Sequence, residues 1–221
     1  MSEPLYTAVR DGADVRVKNV AHLDLAQTFD CGQAFRWRRL PDGRWRGAAF
    51  GRVLTVGMSG RDLILENTPP EEYERVWRGY FDLDRDYGEV LGALAGHPLL
   101  CEYSAYAAGI RVLNQDAWET LCTFIISQNN NIPRIRGIVE RFCEAFGADL
   151  SDGFYAFPDA RAVAAGGLPA LAPLRAGFRA KYLLDAAERV AFGALDLCAL
   201  RALPLDEARR ALCGVCGVGP K

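Results

Sequence analysis

The residue types with the clearest chemical use lie at the end of the sequence, where a glycine-rich turn leads into a lysine. Residues 212–221 read LCGVCGVGPK. The three glycines allow positive φ and let the backbone come close to a large ligand, and Pro220 favours the first turn of a helix. A helix N-terminus binds phosphate and disfavours an ammonium, which keeps a nearby amine neutral and nucleophilic. The stretch therefore predicts a turn that grips a nucleic-acid backbone and presents the amine of Lys221 to it.

A purely structural turn, a nucleotide loop and a metal site are the competing possibilities for this stretch. Taken alone, a glycine-rich turn between helices is more often structural than functional. A nucleoside-triphosphate loop needs GxxxxGK followed by Ser or Thr, and here Pro220 occupies the lysine position. Cys213 and Cys216 form a CxxC pair, but the chain has no second pair, no nearby histidine and no four-cysteine iron–sulfur run. The sequence predicts no metal and no cofactor, and apolar packing for both cysteines.

Two further regions carry side chains suited to DNA. Three successive asparagines, Asn129–Asn131, separate two amphipathic stretches, although asparagine weakens helices and one cap would suffice. Arg134 follows about one helical turn later. Phe178 and Arg179 place an aromatic ring beside a guanidinium, a pair suited to stacking in a duplex and to reading base edges. In isolation each residue could equally have a structural role, as a cap, a core ring or a surface charge.

Composition limits the possibilities without choosing among them. The 221 residues, half of them hydrophobic, suffice for one large or two small domains. A formal charge of −2 gives no global signal for nucleic acid, but a local basic face can still steer DNA. The acidic residues concentrate in 66–89. The basic clusters are Arg134, Arg136 and Arg141; Arg175, Arg179 and Lys181; and Arg209, Arg210 and Lys221.

Cysteine usage and the N-terminus bear on the compartment. The seven cysteines are an odd number without framework spacing, which indicates a reducing setting. The N-terminus has no signal-peptide pattern, and no apolar run approaches ~18 residues. We expect an intracellular protein, cytoplasmic if bacterial and nuclear if eukaryotic, with no membrane association and a monomeric state by default.

The elements that must position these residues follow from periodicity. The first half predicts an antiparallel meander, because short alternating runs are separated by turn residues. From about residue 110 the pattern is helical. Asp116 and Glu119 have capping-box spacing, Asn131 can cap the next helix, and Gly147 can end it. The predicted strands are 35–38, 44–49, 52–56 and 63–65, and the predicted helices are 71–81, the one opened by Asp116, 132–146, 158–165, 178–192 and 205–213.

Four segments together resemble the 8-oxoguanine DNA glycosylase family of the helix-hairpin-helix superfamily. They occur in the family's order at similar intervals, so the resemblance covers nearly the whole chain. The hairpin alone would indicate only the superfamily, whereas the CGQAFRW and NNN segments point to the oxoguanine branch. The segments are 31–37 (CGQAFRW), 127–135 (SQNNNIPRI), 177–182 (GFRAKY) and 212–221.

The resemblance implies an α+β fold in two domains. Residues 1–108 would form an N-terminal antiparallel β-sheet domain, TBP-like, with helices. Residues 109–221 would form an all-α helix-hairpin-helix glycosylase domain that lacks its C-terminal part. The change of composition near residue 109 is the basis for this boundary.

The resemblance also implies a base-excision repair enzyme, a DNA glycosylase with AP lyase activity. Its partner would be double-stranded DNA that contains 8-oxoguanine paired with cytosine. Lys221 matches the catalytic lysine, whose amine attacks C1′ and displaces the base before β-elimination. The carbonyl of Gly32 would accept the N7 proton that oxoguanine has and guanine lacks. The hairpin would bind phosphate through Gly214, Gly217, Val218 and Gly219.

The remaining implied roles concern the space that an extruded nucleotide leaves. A base must be flipped out of the duplex before C1′ can be reached, at a cost of a few kcal/mol. Asn129 would fill the gap, Arg134 and Arg179 would hydrogen-bond the estranged cytosine, and Phe178 would be the wedge. The family usually carries tyrosine at the wedge; Phe178 keeps the ring and loses the hydroxyl.

The end of the sequence departs from the family's pattern. In the family a helix continues from the lysine, and a catalytic aspartate follows it; both are absent here, so we expect an incomplete sequence. Two alternatives stay open. A glycosylase of the alkylation-repair branch shares the layout but generally does not use a hairpin lysine. A non-catalytic DNA-binding module would bind duplex weakly, in a salt-sensitive manner, without base release.

Overall fold

The computed structural model describes residues 5–220, which form two compact units. One unit contains the residues up to Ala48 together with Val53–Gln115. The other contains Ala49–Arg52 together with the residues from Asp116 onward. The boundary expected from composition, between residues 108 and 109, lies a short distance before the division at Asp116. Within residues 5–220, no helix has the length and apolar character that crossing a bilayer requires.

A six-stranded antiparallel sheet is the framework of the first unit, with the strand order β1-β2-β6-β5-β4-β3. Side chains alternate between the two faces of a strand. The register pairs Val15 with Leu65 and Val17 with Leu63, so these four buried side chains share one face. The strands are β1 (Ala8–Asp11), β2 (Asp14–Val17), β3 (Trp37–Arg39), β4 (Trp45–Ala49), β5 (Arg52–Ser59) and β6 (Asp62–Leu65). The four predicted strands are β3 to β6, with ends shifted by a few residues; β1 and β2 were not predicted.

Within the described part of the first unit, five short helices and one π-helical turn accompany this sheet. The helix predicted at 71–81 is present but interrupted: α2 and α3 flank a π-helical turn at Tyr73–Trp77. The aromatic residues expected to face the core from this segment, Tyr73, Trp77 and Tyr80, are buried. The helices are α1 (Leu25–Asp30), α2 (Pro70–Glu72), α3 (Arg78–Tyr80), α4 (Tyr87–Ala95) and α5 (Cys101–Tyr106).

The core of the first unit is aromatic. The rings of Phe29 and Trp37 stack with their centroids 4.2 Å apart, and the Trp37 indole N–H donates to the Tyr80 hydroxyl at 2.7 Å. A Cβ at Gly47 would lie 2.5 Å from the Trp37 ring, so this strand position must stay without a side chain. The packing therefore ties the sheet to the helical segment 70–80.

The second unit is helical, as predicted, with one addition. A two-stranded antiparallel hairpin, β7 with β8, follows the second helix. Helix α8 also runs past the predicted end at residue 165, across a non-helical break at Gly167. The elements are α6 (Ala117–Ser127), α7 (Ile132–Phe146), β7 (Asp149–Ser151), β8 (Phe154–Tyr155), α8 (Ala160–Leu171), α9 (Arg179–Ala191) and α10 (Leu205–Cys213), with 3-10 turns at Ala172–Leu174 and Ala199–Ala202.

Local capping explains where these helices begin. The Asp116 carboxylate accepts from the backbone N–H groups of Trp118 and Glu119 at 3.0 and 2.9 Å, and Gly147 follows the last residue of α7. The cap predicted at Asp116 and the helix end predicted at Gly147 are therefore confirmed. The Trp118 indole N–H donates to the Pro158 carbonyl at 2.8 Å. This bond ties α6 to the segment that leads into α8.

Candidate nucleic-acid and catalytic site

The asparagine loop between α6 and α7 uses its three asparagines differently. The Asn130 side chain donates to the Ile126 carbonyl at 2.9 Å, and the Asn131 side chain caps α7 by accepting from Arg134 N–H at 3.0 Å. Two asparagines thus hold the loop in place. Asn129 is exposed, with a left-handed backbone at φ 45°. Its amide makes no hydrogen bond within the described part of the chain, so it is the member of the run that is open to a ligand.

Arg179 at the start of α9 is 2 % exposed and is bound to this loop. Its Nε donates to the Gln128 carbonyl at 2.9 Å, and Nη2 donates to the Asn129 carbonyl at 2.9 Å as well as to Gln128. Nη1 donates to the Ala176 carbonyl at 3.2 Å. Four of its five N–H groups therefore have protein partners. Arg179 could therefore donate to cytosine through its one remaining N–H, or it would have to give up one of these carbonyl partners.

The charge of Arg134 lies close enough to affect Arg179. Burial, and then the positive charge of Arg134, lower the pKa of the Arg179 guanidinium from its ordinary value. Arg134 itself is exposed on the first turn of α7. Two neighbouring guanidinium groups, one fixed and one exposed, make this loop electropositive and suited to acceptors such as phosphate or a base edge. Another predicted basic residue, Arg141, instead donates to the Leu174 carbonyl at 3.1 and 2.9 Å and so has a structural contact.

Phe178, the predicted wedge, lies exposed at the start of α9. It precedes α9 as its N-cap residue, and Gly177 before it has φ 64°. Its ring is 49 % exposed, with the Arg179 guanidinium 4.5 Å from the ring centroid and the Tyr182 ring at 5.7 Å. The ring is thus supported from one side and open on the other.

The three glycines of the hairpin turn after α10 differ in how they use the backbone freedom that the sequence allows them. Among them, only Gly217 has positive φ, at 82°. Gly214, which follows the last residue of α10, has φ −70°, so the chain leaves the helix through an α-helical residue. A Cβ at Gly217 would lie 2.5 Å from the Tyr182 ring, whereas none of the surrounding atoms lies within 4 Å of one at Gly219.

The N–H groups of the turn divide into bonded and open ones. Gly214 N–H donates to the Ala211 carbonyl at 3.2 Å, and Val218 N–H to the Val215 carbonyl at 3.0 Å. The N–H groups of Gly217 and Gly219 have no such partner within residues 5–220. Of the four residues predicted to bind phosphate, these two are placed to do so through the backbone. Lys221, the predicted nucleophile, lies outside the described residues.

Two contacts that hold the turn were not expected from the sequence. The Gln128 side-chain amide donates to the Gly217 carbonyl. The Asp185 carboxylate, on α9, accepts from Cys216 N–H at 2.8 Å. The apolar packing expected for Cys216 is wrong, because this residue is exposed. Among the described residues, no three His, Cys, Asp or Glu side chains come together as a metal site would need.

In the first unit, the loop of Gly32 is held by its neighbour. Gly32 has φ 86° and is half-buried. The Gln33 side-chain amide donates to the Thr28 and Arg111 carbonyls, both at 2.8 Å, and accepts from Leu113 N–H at 3.0 Å. The backbone conformation at Gly32 is one that glycine adopts without strain, and Gln33 fixes it.

Comparisons with known proteins agree with this arrangement. A family model described as 8-oxoguanine DNA glycosylase, N-terminal domain, matches residues 16–121. The chain is 29 % identical to N-glycosylase/DNA lyase OGG1 of Arabidopsis thaliana, over 90 % of this chain and 58 % of that protein. It is 35 % identical to N-glycosylase/DNA lyase of Saccharomyces cerevisiae, over 92 % of this chain and 61 % of that protein. It therefore spans about three fifths of the length of these relatives.

A solved structure gives the same result for the fold. The crystal structure of Clostridium acetobutylicum 8-oxoguanine glycosylase/lyase, in complex with double-stranded DNA containing cytosine opposite 8-oxoG, is similar with a TM-score of 0.92 and 39 % identity. The match covers all of this chain and 76 % of that one. The sheet of the first unit, the helices and glycine turn of the second, and the similarity to these proteins all agree. The chain belongs to the 8-oxoguanine DNA glycosylase family.

Proposed function

We propose that the protein carrying this chain is a bifunctional DNA glycosylase and AP lyase that removes 8-oxoguanine paired with cytosine from duplex DNA. One observation carries the proposal. Gln128 joins the asparagine loop to the hairpin turn through its side chain, while its carbonyl receives the Arg179 guanidinium. The candidate gap-filling residue, the candidate cytosine contact and the turn that leads to Lys221 are thereby held in one hydrogen-bonded group.

In this proposal the second unit opens the duplex and supplies the nucleophile. Asn129 and the Phe178 ring, both exposed, enter the space left by the flipped nucleotide, which offsets part of the unstacking cost. The N–H groups of Gly217 and Gly219 bind a phosphate of the same strand. The neutral Lys221 amine forms a bond to C1′ as the bond from C1′ to the base breaks, and the leaving base takes up a proton.

The lyase step follows from the same covalent bond. The attached nitrogen loses a proton, and its lone pair then forms a C=N bond to C1′ as the C1′–O4′ bond of the sugar breaks and O4′ takes up a proton. The resulting protonated imine between Lys221 and C1′ acidifies C2′. Removal of a C2′ proton then expels the 3′ phosphate by β-elimination. The carbonyl of Gly32 distinguishes the lesion, since only the oxidised base carries a proton on N7 for it to accept.

The test is covalent trapping on duplex DNA containing 8-oxoguanine opposite cytosine, with borohydride to reduce the imine. The longest protein that contains this chain is the appropriate subject, because the relatives extend beyond the matched region. We expect Lys221→Gln to abolish trapping and Lys181→Gln, a second of the chain's three lysines, to retain it. Trapping that persists in Lys221→Gln would exclude this lysine as the nucleophile.

A substrate panel separates the two alternatives. Release of 3-methyladenine in preference to 8-oxoguanine would favour the alkylation-repair branch. Salt-sensitive duplex binding without release of either base would favour a non-catalytic module. We expect 8-oxoguanine opposite cytosine to be released fastest.

A further inference from the structure

Asp185 lies in the middle of α9 and contacts the hairpin turn. Its Oδ2 accepts from Cys216 N–H at 2.8 Å and from Arg189 Nε at 2.9 Å. Cys216 stands between the buried Val215 and Gly217, whose positive φ turns the chain. The carboxylate therefore binds the turn at its bend.

The same helix supports the turn through a second residue. Tyr182 lies three residues before Asp185, so both side chains point from one face of α9. The Tyr182 ring occupies the space in which a Gly217 side chain would sit, and Gln128 binds the Gly217 carbonyl from the asparagine loop. The turn is thus held by a ring, an amide and a carboxylate, and of these three groups the carboxylate carries a charge.

The Asp185 carboxyl group is expected to be ionised when it accepts the hydrogen bond from Cys216 N–H. Burial opposes ionisation, but the hydrogen bonds from Cys216 and Arg189 outweigh it and lower the pKa of the carboxyl below its ordinary value. A carboxylate that stays ionised near neutrality accepts stronger hydrogen bonds than a neutral group.

We propose that Asp185 is a positioning residue for the reaction: by holding Cys216 N–H it fixes the turn that leads to Lys221. The inference rests on the proposed function, because it assigns the turn the task of placing the lysine against C1′. Displacement of a reacting group by about 1 Å can cost roughly 100-fold in rate. Within the described part of the chain Asp185 has no hydrogen bond to the candidate site residues themselves, so its loss should affect the chemical step much more than duplex binding.

The experiment measures single-turnover release of 8-oxoguanine and duplex affinity in the longest protein that contains this chain. We expect Asp185→Ala to slow release by roughly 10- to 100-fold while affinity stays within about threefold. Asp185→Asn keeps an oxygen acceptor and should recover most of the rate. Glu188→Gln, an exposed residue of the same helix, removes the same charge without touching the turn and should behave as wild type.

A second variant distinguishes positioning from general stability. Cys216→Pro removes the backbone N–H that donates to the Asp185 carboxylate. In that background, Asp185→Ala should therefore cause no additional loss of the release rate. An undiminished effect there, an unchanged rate in Asp185→Ala, or a loss of rate that only tracks a lower melting temperature would overturn the inference. A wild-type protein without base release would instead overturn the proposed function, and this inference with it.

Discussion

Two buried arginines, Arg111 and Arg179, each hold a segment that has no regular secondary structure. Arg111 is fully buried, and its Nη1 donates to the Asp82 carbonyl at 2.8 Å. Its Nη2 donates to the Tyr6 hydroxyl and to the Ala21 carbonyl, both at 2.8 Å. Arginine suits such places because its flat, permanently charged head offers several donors in fixed directions. In both cases the partners are mainly backbone carbonyls, so the side chain replaces secondary-structure hydrogen bonding.

Arg111→Ala is expected to lower the free energy of unfolding by about 3 kcal/mol, because several buried carbonyl and hydroxyl groups lose a charged donor together. Chemical denaturation followed by circular dichroism measures the change. Arg75→Ala, on an exposed part of the π-helical turn, is the matched control and should leave the midpoint unchanged. Equal midpoints for the two variants would show that Arg111 is not an anchor.

The buried thiol of Cys122 is expected to make the free energy of unfolding fall at alkaline pH. Burial, and then the charge of Glu119, raise the pKa of its thiol well above the ordinary value. The unfolded thiol loses its proton near pH ~8.5, and the folded one keeps it, so the unfolded state binds fewer protons above that pH. The contribution to stability is therefore complete below pH ~8.5 and is lost as pH rises towards the folded pKa.

The measurement is the free energy of unfolding between pH 8 and about pH 10, the range below tyrosine ionisation. We expect a decline of up to ~1.4 kcal/mol per pH unit in the wild type and a flatter curve in Cys122→Ala. Cys198→Ala, an exposed thiol in the second unit, should keep the wild-type slope. A slope that Cys122→Ala leaves unaltered would assign the alkaline loss to other groups.

At the scale of elements, the hairpin turn separates two kinds of glycine. Gly217 is required by its left-handed backbone and by the Tyr182 ring, whereas Gly219 has an open surrounding and no positive φ. Gly217 is therefore needed for the conformation of the turn, whereas Gly219 is accessible to a ligand.

Gly217→Ala is accordingly expected to lower the free energy of unfolding by about 1–3 kcal/mol, since both the backbone and the ring contact are strained. Gly219→Ala should leave stability unchanged and weaken duplex binding, because a methyl group would separate the backbone N–H groups from phosphate. Thermal unfolding and duplex titration on both variants check this. A reversed order, with Gly219→Ala the less stable of the two, would contradict the assignment.

Elements that rest on local contacts were predictable from the sequence. Asp116 and Asn131 cap their helices through bonds to residues at most three positions ahead, and the strands of the central meander follow an alternation of period two. The break in the helix predicted at 71–81 was not predictable. A π-helical turn keeps the same residues helical and changes only the pairing of carbonyls and amides.

The candidate site was predictable where a local motif carried the family resemblance. Asn129 belongs to the asparagine run and Phe178 to the GFRAKY segment, and the structure leaves both residues exposed. The roles of Asp185 and Gln128 depend on partners 31 and 89 residues away, and no local pattern encodes that pairing. The same holds for Arg179, whose sequence position suits a surface cation and whose side chain is buried against the asparagine loop.

At the scale of the whole molecule, the net charge is small, but basic and acidic residues are concentrated in different parts of the chain. The formal charge is −2, yet the exposed Arg134 and Lys181 accompany the exposed candidate wedge in one unit. Acidic residues concentrate in the segment 66–89 of the other unit. With this distribution, the DNA binding that we propose would depend on a local field, which salt screens strongly.

Duplex affinity should therefore fall linearly with ionic strength on logarithmic axes. Arg134→Ala is expected to weaken binding to duplex that contains 8-oxoguanine opposite cytosine and to leave that slope almost unaltered, as the loss of a base contact would. Arg75→Ala should change neither the affinity nor the slope. A slope whose magnitude falls by about 1 would instead indicate that Arg134 contacts a phosphate and not a base.

The tryptophans have an optical consequence. Trp37, Trp45 and Trp77 all belong to the first unit, whereas Trp118 is the one tryptophan after residue 115. The Trp118 indole N–H donates to the Pro158 carbonyl. Its fluorescence emission should therefore shift to longer wavelength when α6 separates from the segment before α8 and the indole becomes exposed to water. A variant with phenylalanine at the other three positions would make that emission a fluorescent reporter of the unit that carries the hairpin.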